Sequence, residues 1–349
     1  MKMVIICGGV GTKMWPESRQ SLPKHFLPLI KGKSLFQINW EDLRKKFEAN
    51  DIFLQTNPLQ AELALGQVSE ISRDNILLEP EVRNTGPAIG LTAALLARKG
   101  YGDEPFMLIQ ADDLRKPVER LFDMAEVLNK FALSTNKYVT GCIKPDRVVR
   151  GVDYLVKGKL LSNENGVNVY EVADFIDRTE EDKLQKYMGT DELMIHSNHT
   201  TMTPNNYLKM YQKYRMDWYE PLMKVVNGGD VDLNFRDMPK GMQEELTQKV
   251  HRDGNGIMVE LPFEWIDFGT WESLINYELL INNYELKNGI EIQAKNNYVR
   301  SKKYVALVGV EDLVVVETDD AILICKKDQT GRVGEIVDKL KADGKNELV

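Results

Sequence analysis

Long apolar runs are missing from this chain. None approaches the roughly 20 residues that a membrane-crossing helix needs, so no membrane partner is expected. Cysteine is scarce too: Cys7, Cys142 and Cys325 lie far apart, each in an apolar run that reads as a strand. Such spacing offers neither a disulfide framework nor a zinc ligand set, and the three thiols are expected as small buried hydrophobes. Positive charge is in deficit, with 45 Lys and Arg against 53 Asp and Glu, a net charge of -8. A duplex-binding surface needs a basic stripe that this balance does not supply, so no nucleic-acid partner is expected. The first apolar run starts at Met3, which leaves no room for a signal peptide and gives the expectation of a cytoplasmic protein in a reducing compartment.

Two familiar phosphate-binding motifs are also absent. Gly11 is followed by Thr12 and only then by Lys13, so there is no Walker loop. Met14 stands where a dinucleotide fingerprint needs its third glycine, and Pro16 interrupts the helix start. That spacing argues against a nicotinamide-dependent oxidoreductase.

What is present begins at the same place. A short apolar strand at 3–7 runs into Gly8, Gly9 and Gly11, followed by Thr12, Lys13, Trp15-Pro16-Glu17-Ser18-Arg19 and Pro23-Lys24. Glycines at these positions let successive backbone N–H groups converge on phosphate oxygens, and Lys13, Arg19 and Lys24 bring positive charge to the same place. The combination suits a nucleoside triphosphate.

This string resembles the sugar-1-phosphate nucleotidyltransferases, and within them the mannose-1-phosphate guanylyltransferases. Their pattern runs Gly-Gly-x-Gly-Thr-Arg-Leu-Trp-Pro-x-Ser-Arg and then Pro-Lys; here Lys13 replaces the arginine. Two more strings carry the resemblance. Glu79-Pro80-Glu81-Val82-Arg83-Asn84-Thr85-Gly86-Pro87-Ala88 is similar to the family segment that lies along the guanine, which implies nucleotide roles for Arg83, Asn84, Thr85 and Gly86. Read on residues alone, the same stretch is a helix cap. Trp265-Ile266-Asp267-Phe268-Gly269-Thr270-Trp271 resembles the family's second metal string. With Asp112, which follows a strand in Gln110-Ala111-Asp112-Asp113, Asp267 is expected to hold Mg2+. Asp113 departs from the histidine usual there.

Strands expected at 3–7, 51–55, 76–78, 106–109 and 138–143 alternate with helices at 35–47, 59–70, 88–98 and 118–132. That alternation predicts an α/β fold: a Rossmann-like nucleotidyltransferase domain with a mostly parallel sheet, its ligands at the carboxyl ends of the strands. Residues 146–265 are less regular, with strands expected at 153–156 and 167–176 and helices at 180–188, 205–214 and 239–249. Short β-like runs at 297–300, 304–308, 313–317 and 321–325 follow, then a helix at 333–341. This last part resembles the small left-handed β-helix-like domain of bacterial guanylyltransferases. The expected division is 1–285 and 286–349. Too few repeats are present to bury a core alone, so a homodimer through or near that coil is expected.

The resemblance weakens around the sugar. Arg150-Gly151-Val152-Asp153-Tyr154-Leu155, Asp177-Arg178-Thr179 and His196-Ser197-Asn198-His199 stand where relatives read differently. Asp153, Arg178 and Asn198 are the candidate sugar-phosphate contacts; His196 and His199 read equally as solvated loop residues. The implied reaction is attack of a mannose 1-phosphate oxygen on the α-phosphorus of GTP, releasing pyrophosphate. Lys13, Arg19 and Mg2+ would neutralise charge on the leaving pyrophosphate and Lys24 and Arg178 would orient the acceptor, with the backbone of Gly8 to Gly11 cradling phosphates. A different sugar 1-phosphate, of glucose or heptose type, or a nucleotide-sugar-binding regulatory chain without turnover, is the alternative.

Overall fold

The computed structural model describes residues 1–9, 11–145, 152–281, 286 and 288–349. Apolar runs form β1 (Lys2–Cys7), β2 (Ile52–Thr56), β3 (Ile76–Leu78) and β4 (Phe106–Gln110). Between them lie α1 (Leu35–Arg44), α2 (Pro58–Gln67) and α3 (Thr85–Leu96). Side chains cap each start: Ser34 and Gln37 form a capping box on α1, Asn57 caps α2 just before Pro58, and Asn84 accepts from Thr85 N at the head of α3.

The chain continues through β5 (Asp113–Lys116), α4 (Glu119–Thr135), β6 (Tyr138–Ile143), β7 (Tyr154–Glu164), β8 (Val167–Ile176), α5 (Glu181–Tyr187) and β9 (Leu193–Met202). Four helices follow: α6 (Pro204–Tyr214), α7 (Met216–Val226), α8 (Val231–Arg236) and α9 (Glu244–Arg252). Then come β10 (Gly256–Glu260), β11 (Glu264–Asp267) and α10 (Trp271–Leu280).

Nine strands form one sheet in the order β3-β2-β1-β4-β9-β6-β10-β8-β7. β1 pairs in parallel with β2 and β4, β2 with β3, and β6 with β10. The α/β fold with its parallel core is thus the one expected. The second half adds antiparallel strands: β9 inserts between β4 and β6, and the β7–β8 hairpin closes the far edge. β9 corrects the loop reading of His196 and His199. Its sequence, Leu-Met-Ile-His-Ser-Asn-His-Thr-Thr-Met, lacks apolar alternation because polar side chains take buried places: His196 pairs with Thr140, and His199 with Ser197. Helices cover both faces: Phe36, Trp40, Met124 and Leu128 pack on one, Leu91, Tyr211, Trp218 and Leu222 on the other.

The C-terminal part holds β12 (Gly289–Ile292), β13 (Tyr298–Arg300), β14 (Val305–Val308), β15 (Leu313–Glu317), β16 (Ile322–Lys326) and α11 (Val333–Ala342). Its parallel rungs pair 289 with 305, 295 with 311 and 298 with 314, a coil of 16 residues per turn. This coil does not stand apart. Tyr298, Val314, Val316, Leu323, Val333 and Val337 share one apolar cluster with Met14, Trp15, Phe268 and Trp271, so the glycine-rich segment is packed from behind by the C-terminal part. The expected division at 285 falls at 282–285 and 287, outside the described residues, as do Arg150 and Gly151.

Candidate active site

A cavity of about 440 Å³ opens where β1, β2, β3 and β4 end. Gly8, Gly9, Lys24, His25, Gln110 and Asp112 line it together with Gln55, Asn57, Glu79, Asn84, Thr85 and Ala88. The site therefore sits at the carboxyl ends of parallel strands, where helix starts and strand-end loops meet.

Gly11 has φ 78°, ψ 49° and begins a tight turn over Thr12–Met14. A Cβ there would lie 2.3 Å from Lys24 Cγ, so the residue must be glycine both for its backbone and for the passage of the lysine. Lys24 is buried, and its ammonium reaches Asp112 Oδ2 at 2.5 Å and the Phe268 carbonyl at 3.2 Å. Burial works against that charge, but Asp112 and Asp267 outweigh it and hold the Lys24 pKa above its ordinary value. Lys24 in turn overcomes the burial of Asp112 and lowers its pKa.

β5 and β11 pair antiparallel with Asp267 opposite Asp113, and Phe268 N donates to the Asp112 carbonyl. This two-stranded ribbon thereby brings the two distant strings together: Asp112, Asp113 and Asp267 offer oxygens within 4.8 Å of one another. Three converging carboxylates carry more negative charge than Lys24 alone offsets, so the donor set fits a hard divalent cation. Crowding by protein, and then Asp112, raise the Asp267 pKa against the pull of Lys24 and Lys13. Lys13 is exposed beside this cluster.

Asp113 is buried and turned to other partners. Its Oδ2 accepts from Trp265 Nε1 at 2.7 Å and lies 3.7 Å from the buried Arg115 guanidinium. Arg115 donates to Asn39 Oδ1 and to His199 Nε2, which leaves the His199 proton on Nδ1, facing Ser197 Oγ. Gln110 Nε2 donates to the Asn198 carbonyl at 2.9 Å, setting exposed Asn198, with φ 59°, beside the cavity wall.

Several expected site residues have other neighbours. Arg19 donates to the Leu348 carbonyl at 2.6 Å and to Asp320 at 2.8 Å, so it anchors the C-terminal segment. Arg83 holds the Met238 carbonyl and Glu81. Gly86 is packed so tightly that a Cβ would meet Trp218 at 2.3 Å. Arg178 closes a fork on buried Asp153 and also reaches Glu244 at 3.1 Å, leaving its cation neutralised twice over. Thr12 lies against Gly334 of α11.

Sequence reading missed Glu79 and His25 as cavity-lining groups. Both lie in or beside the family-like strings, but nothing in their spacing distinguished them. Burial pushes Glu79 up to about 7 and His25 down to about 4.

A strand-end glycine turn, a buried lysine and converging carboxylates beside a nucleotide-sized cavity define a nucleotidyl-transferring site on an α/β sheet. The nucleotidyl transferase family model matches residues 2–283, and the chain belongs to that family. A second model, the MannoseP isomerase/GMP-like beta-helix domain, matches 287–340. The chain is 31% identical to a mannose-1-phosphate guanylyltransferase of Escherichia coli K12 and 30% identical to the xanthan biosynthesis protein XanB of Xanthomonas campestris pv. campestris, in each case over 99% of this chain and 74% of the relative. A Thermus thermophilus structure described as a mannose-1-phosphate geranyltransferase shares the fold at TM-score 0.83 and 22% identity, covering 97% of this chain and 99% of that one. A UDP-glucose pyrophosphorylase complexed with UDP-glucose gives 0.53 at 17% identity, over 80% and 98%.

Proposed function

We propose that this nucleotidyltransferase transfers GMP from GTP to mannose 1-phosphate, releasing pyrophosphate. The observation that carries the reading is that Gly8, Gly9, Lys24 and Asp112 line the same cavity as Glu79, Asn84 and Thr85. The names of the relatives support guanine and mannose 1-phosphate. Asp112 and Asp267 are the residues that would hold Mg2+, which when bound supplies positive charge to the triphosphate.

The chain's own groups do the rest. The incoming sugar phosphate is already an anion, so no general base is required; the two polyanions must be held in line. Backbone amides of the glycine turn face the phosphates, Lys24 is locked in position by Asp112, and exposed Lys13 follows the charge that grows on the leaving pyrophosphate. Asn84 and Thr85 border the base, and Asn198, held through Gln110, reads sugar hydroxyls. Arg19, Arg83, Gly86, Asp153 and Arg178 position these elements from behind.

Exposed Ile290, Ile292 and Val308 on the β12–β14 sheet, and Ile322 and Ile324 on β16, offer the apolar surface for a homodimer. The test of the activity is pyrophosphate release with Mg2+, each nucleoside triphosphate and a panel of sugar 1-phosphates. Turnover led by GTP with mannose 1-phosphate is expected; preference for another sugar phosphate overturns the acceptor, and no turnover with any pair supports a binding-only chain.

A further inference from the structure

The pairing of β9 with β6 is interrupted midway. Thr140 of β6 pairs with Thr200 and Cys142 with His196, so residues 197–199 of β9 face Gly141 alone. Such a bulge turns a side chain out of the regular alternation of the sheet. Here that side chain is Asn198, exposed and at φ 59°, while Ser197 and His199 on either side of it are buried. Gly141 makes room for the extra residues: a Cβ there would lie 2.8 Å from Ser197 Oγ and 3.0 Å from His199 Cβ. The backbone of Asn198 is held on both sides, its N–H donating to His196 Nδ1 at 3.3 Å and its carbonyl accepting from Gln110 Nε2 at 2.9 Å.

Behind the bulge lies the buried guanidinium of Arg115. Its Nε donates to His199 Nε2 at 2.8 Å and its Nη1 to Asn39 Oδ1 at 2.7 Å, while Nη2 reaches the Gln110 carbonyl and Gln110 Oε1, each at 3.4 Å. Because a guanidinium only donates, His199 keeps its proton on Nδ1 and gives it to Ser197 Oγ at 3.0 Å, which ties the two buried residues of the bulge together. One group therefore bears on His199, next to Asn198 in the chain, and on Gln110, which holds the Asn198 carbonyl. Arg115 is fixed in turn by α1 and β5: Asn39 Nδ2 donates to the Asp113 carbonyl at 2.9 Å, and the Asp113 carboxylate lies 3.7 Å from the guanidinium. A planar fork keeps these directions simultaneously, which the point charge of a lysine does not.

We propose that Arg115 is a positioning residue for the acceptor: through His199 and Gln110 it fixes the bulge that presents Asn198 to sugar hydroxyls. This rests on the reading of Asn198 as a sugar contact, and it is independent of which sugar 1-phosphate is used.

The experiment compares the full-length wild type with Asn198→Ala, Arg115→Lys and His199→Asn, and with the double variants that combine Asn198→Ala with each of the other two, all checked by thermal melts. His199→Asn keeps a donor for Ser197 and leaves Arg115 beside Asp113, so it carries the test if Arg115→Lys does not fold. With the sugar 1-phosphate that the wild type turns over, each single variant should raise the acceptor KM by about 10-fold while kcat and GTP affinity stay within about threefold. The double variants should be no more than about threefold worse than Asn198→Ala alone, because the residues act through one contact. A wild-type acceptor KM in folded Arg115→Lys or His199→Asn, additive losses in the double variants, or equal losses of acceptor and GTP binding would overturn the proposal; the last is what a merely structural role produces. A second readout needs no turnover. Amide hydrogen exchange at Asn198 in the ligand-free protein should quicken by about 10-fold in Arg115→Lys and His199→Asn while exchange at Thr201 holds, and unchanged exchange at Asn198 would overturn the proposal. Quickened exchange with a wild-type acceptor KM in Asn198→Ala would sink the sugar reading of Asn198 and with it the acceptor role of Arg115. If the wild type turns over no sugar phosphate, the proposed activity fails, and exchange alone decides whether Arg115 holds the bulge.

Discussion

Lys24 and Asp112 form the shortest link between the glycine-rich segment and the acidic cluster, 2.5 Å from ammonium to carboxylate in a buried setting. Removing the lysine leaves Asp112 without its ion-pair partner and Asp267 without the cation that acts on it most strongly. Lys24→Met should therefore lower kcat/KM by about 100-fold or more, in line with lost transition-state donors. Mg2+ should raise the Tm of the wild type, and Asp112→Asn or Asp267→Asn should remove most of that rise. A Mg2+-induced shift unchanged in both carboxamide variants would take the ion away from this cluster.

Gly11 and Gly9 offer a matched pair of substitutions. A Cβ at Gly11 meets Lys24 at 2.3 Å and sits at positive φ, whereas a Cβ at Gly9 has nothing within 4 Å. Gly11→Ala should destabilise the fold by about 1 to 3 kcal/mol and displace Lys24, while Gly9→Ala should leave Tm within a degree or two. Chemical denaturation of both variants decides it; equal stabilities would contradict the close passage of Lys24.

All four histidines of the chain are buried. Burial lowers His25 and His196 to about 4 and places His199 and His251 well below the ordinary range. Unfolded histidines take up protons near pH 6.5 while the folded ones do not, so stability is full above that pH and falls as pH drops from about 6.5 toward 4, by about 1.4 kcal/mol per pH unit for each histidine. Urea midpoints across pH 8 to 4.5 should fall steeply below 6.5. A flat profile would mean that the rings are protonated in the fold.

Arg19 tests the support of the loop from behind. It and Trp15 Nε1 both donate to the Leu348 carbonyl, and Arg19 also pairs with Asp320. Arg19→Met should lower kcat/KM by about 10-fold by loosening that anchor, while the Mg2+-induced Tm shift remains, because Arg19 does not touch the acidic cluster. Loss of the Mg2+ shift as well would assign Arg19 to the site itself.

The sequence by itself determined the elements whose chemistry is local. Strands at 3–7 and 76–78 appear where expected, the helix expected at 35–47 starts at Leu35 and ends at Arg44, and the glycine turn, Lys24, Asp112 and Asp267 were named from strings alone. Tertiary structure decided everything that depends on partners distant in the chain. His196 and His199 became buried strand residues because β9 inserts between β4 and β6, a pairing that no local pattern encodes. Arg178 and Asp153 neutralise each other because the β7–β8 hairpin brings them side by side. Arg19 turned to Leu348, a residue 329 positions away, since a guanidinium goes to whichever carbonyl and carboxylate the folded chain places within reach. Residue type set what each side chain could do, and long-range packing chose its partner.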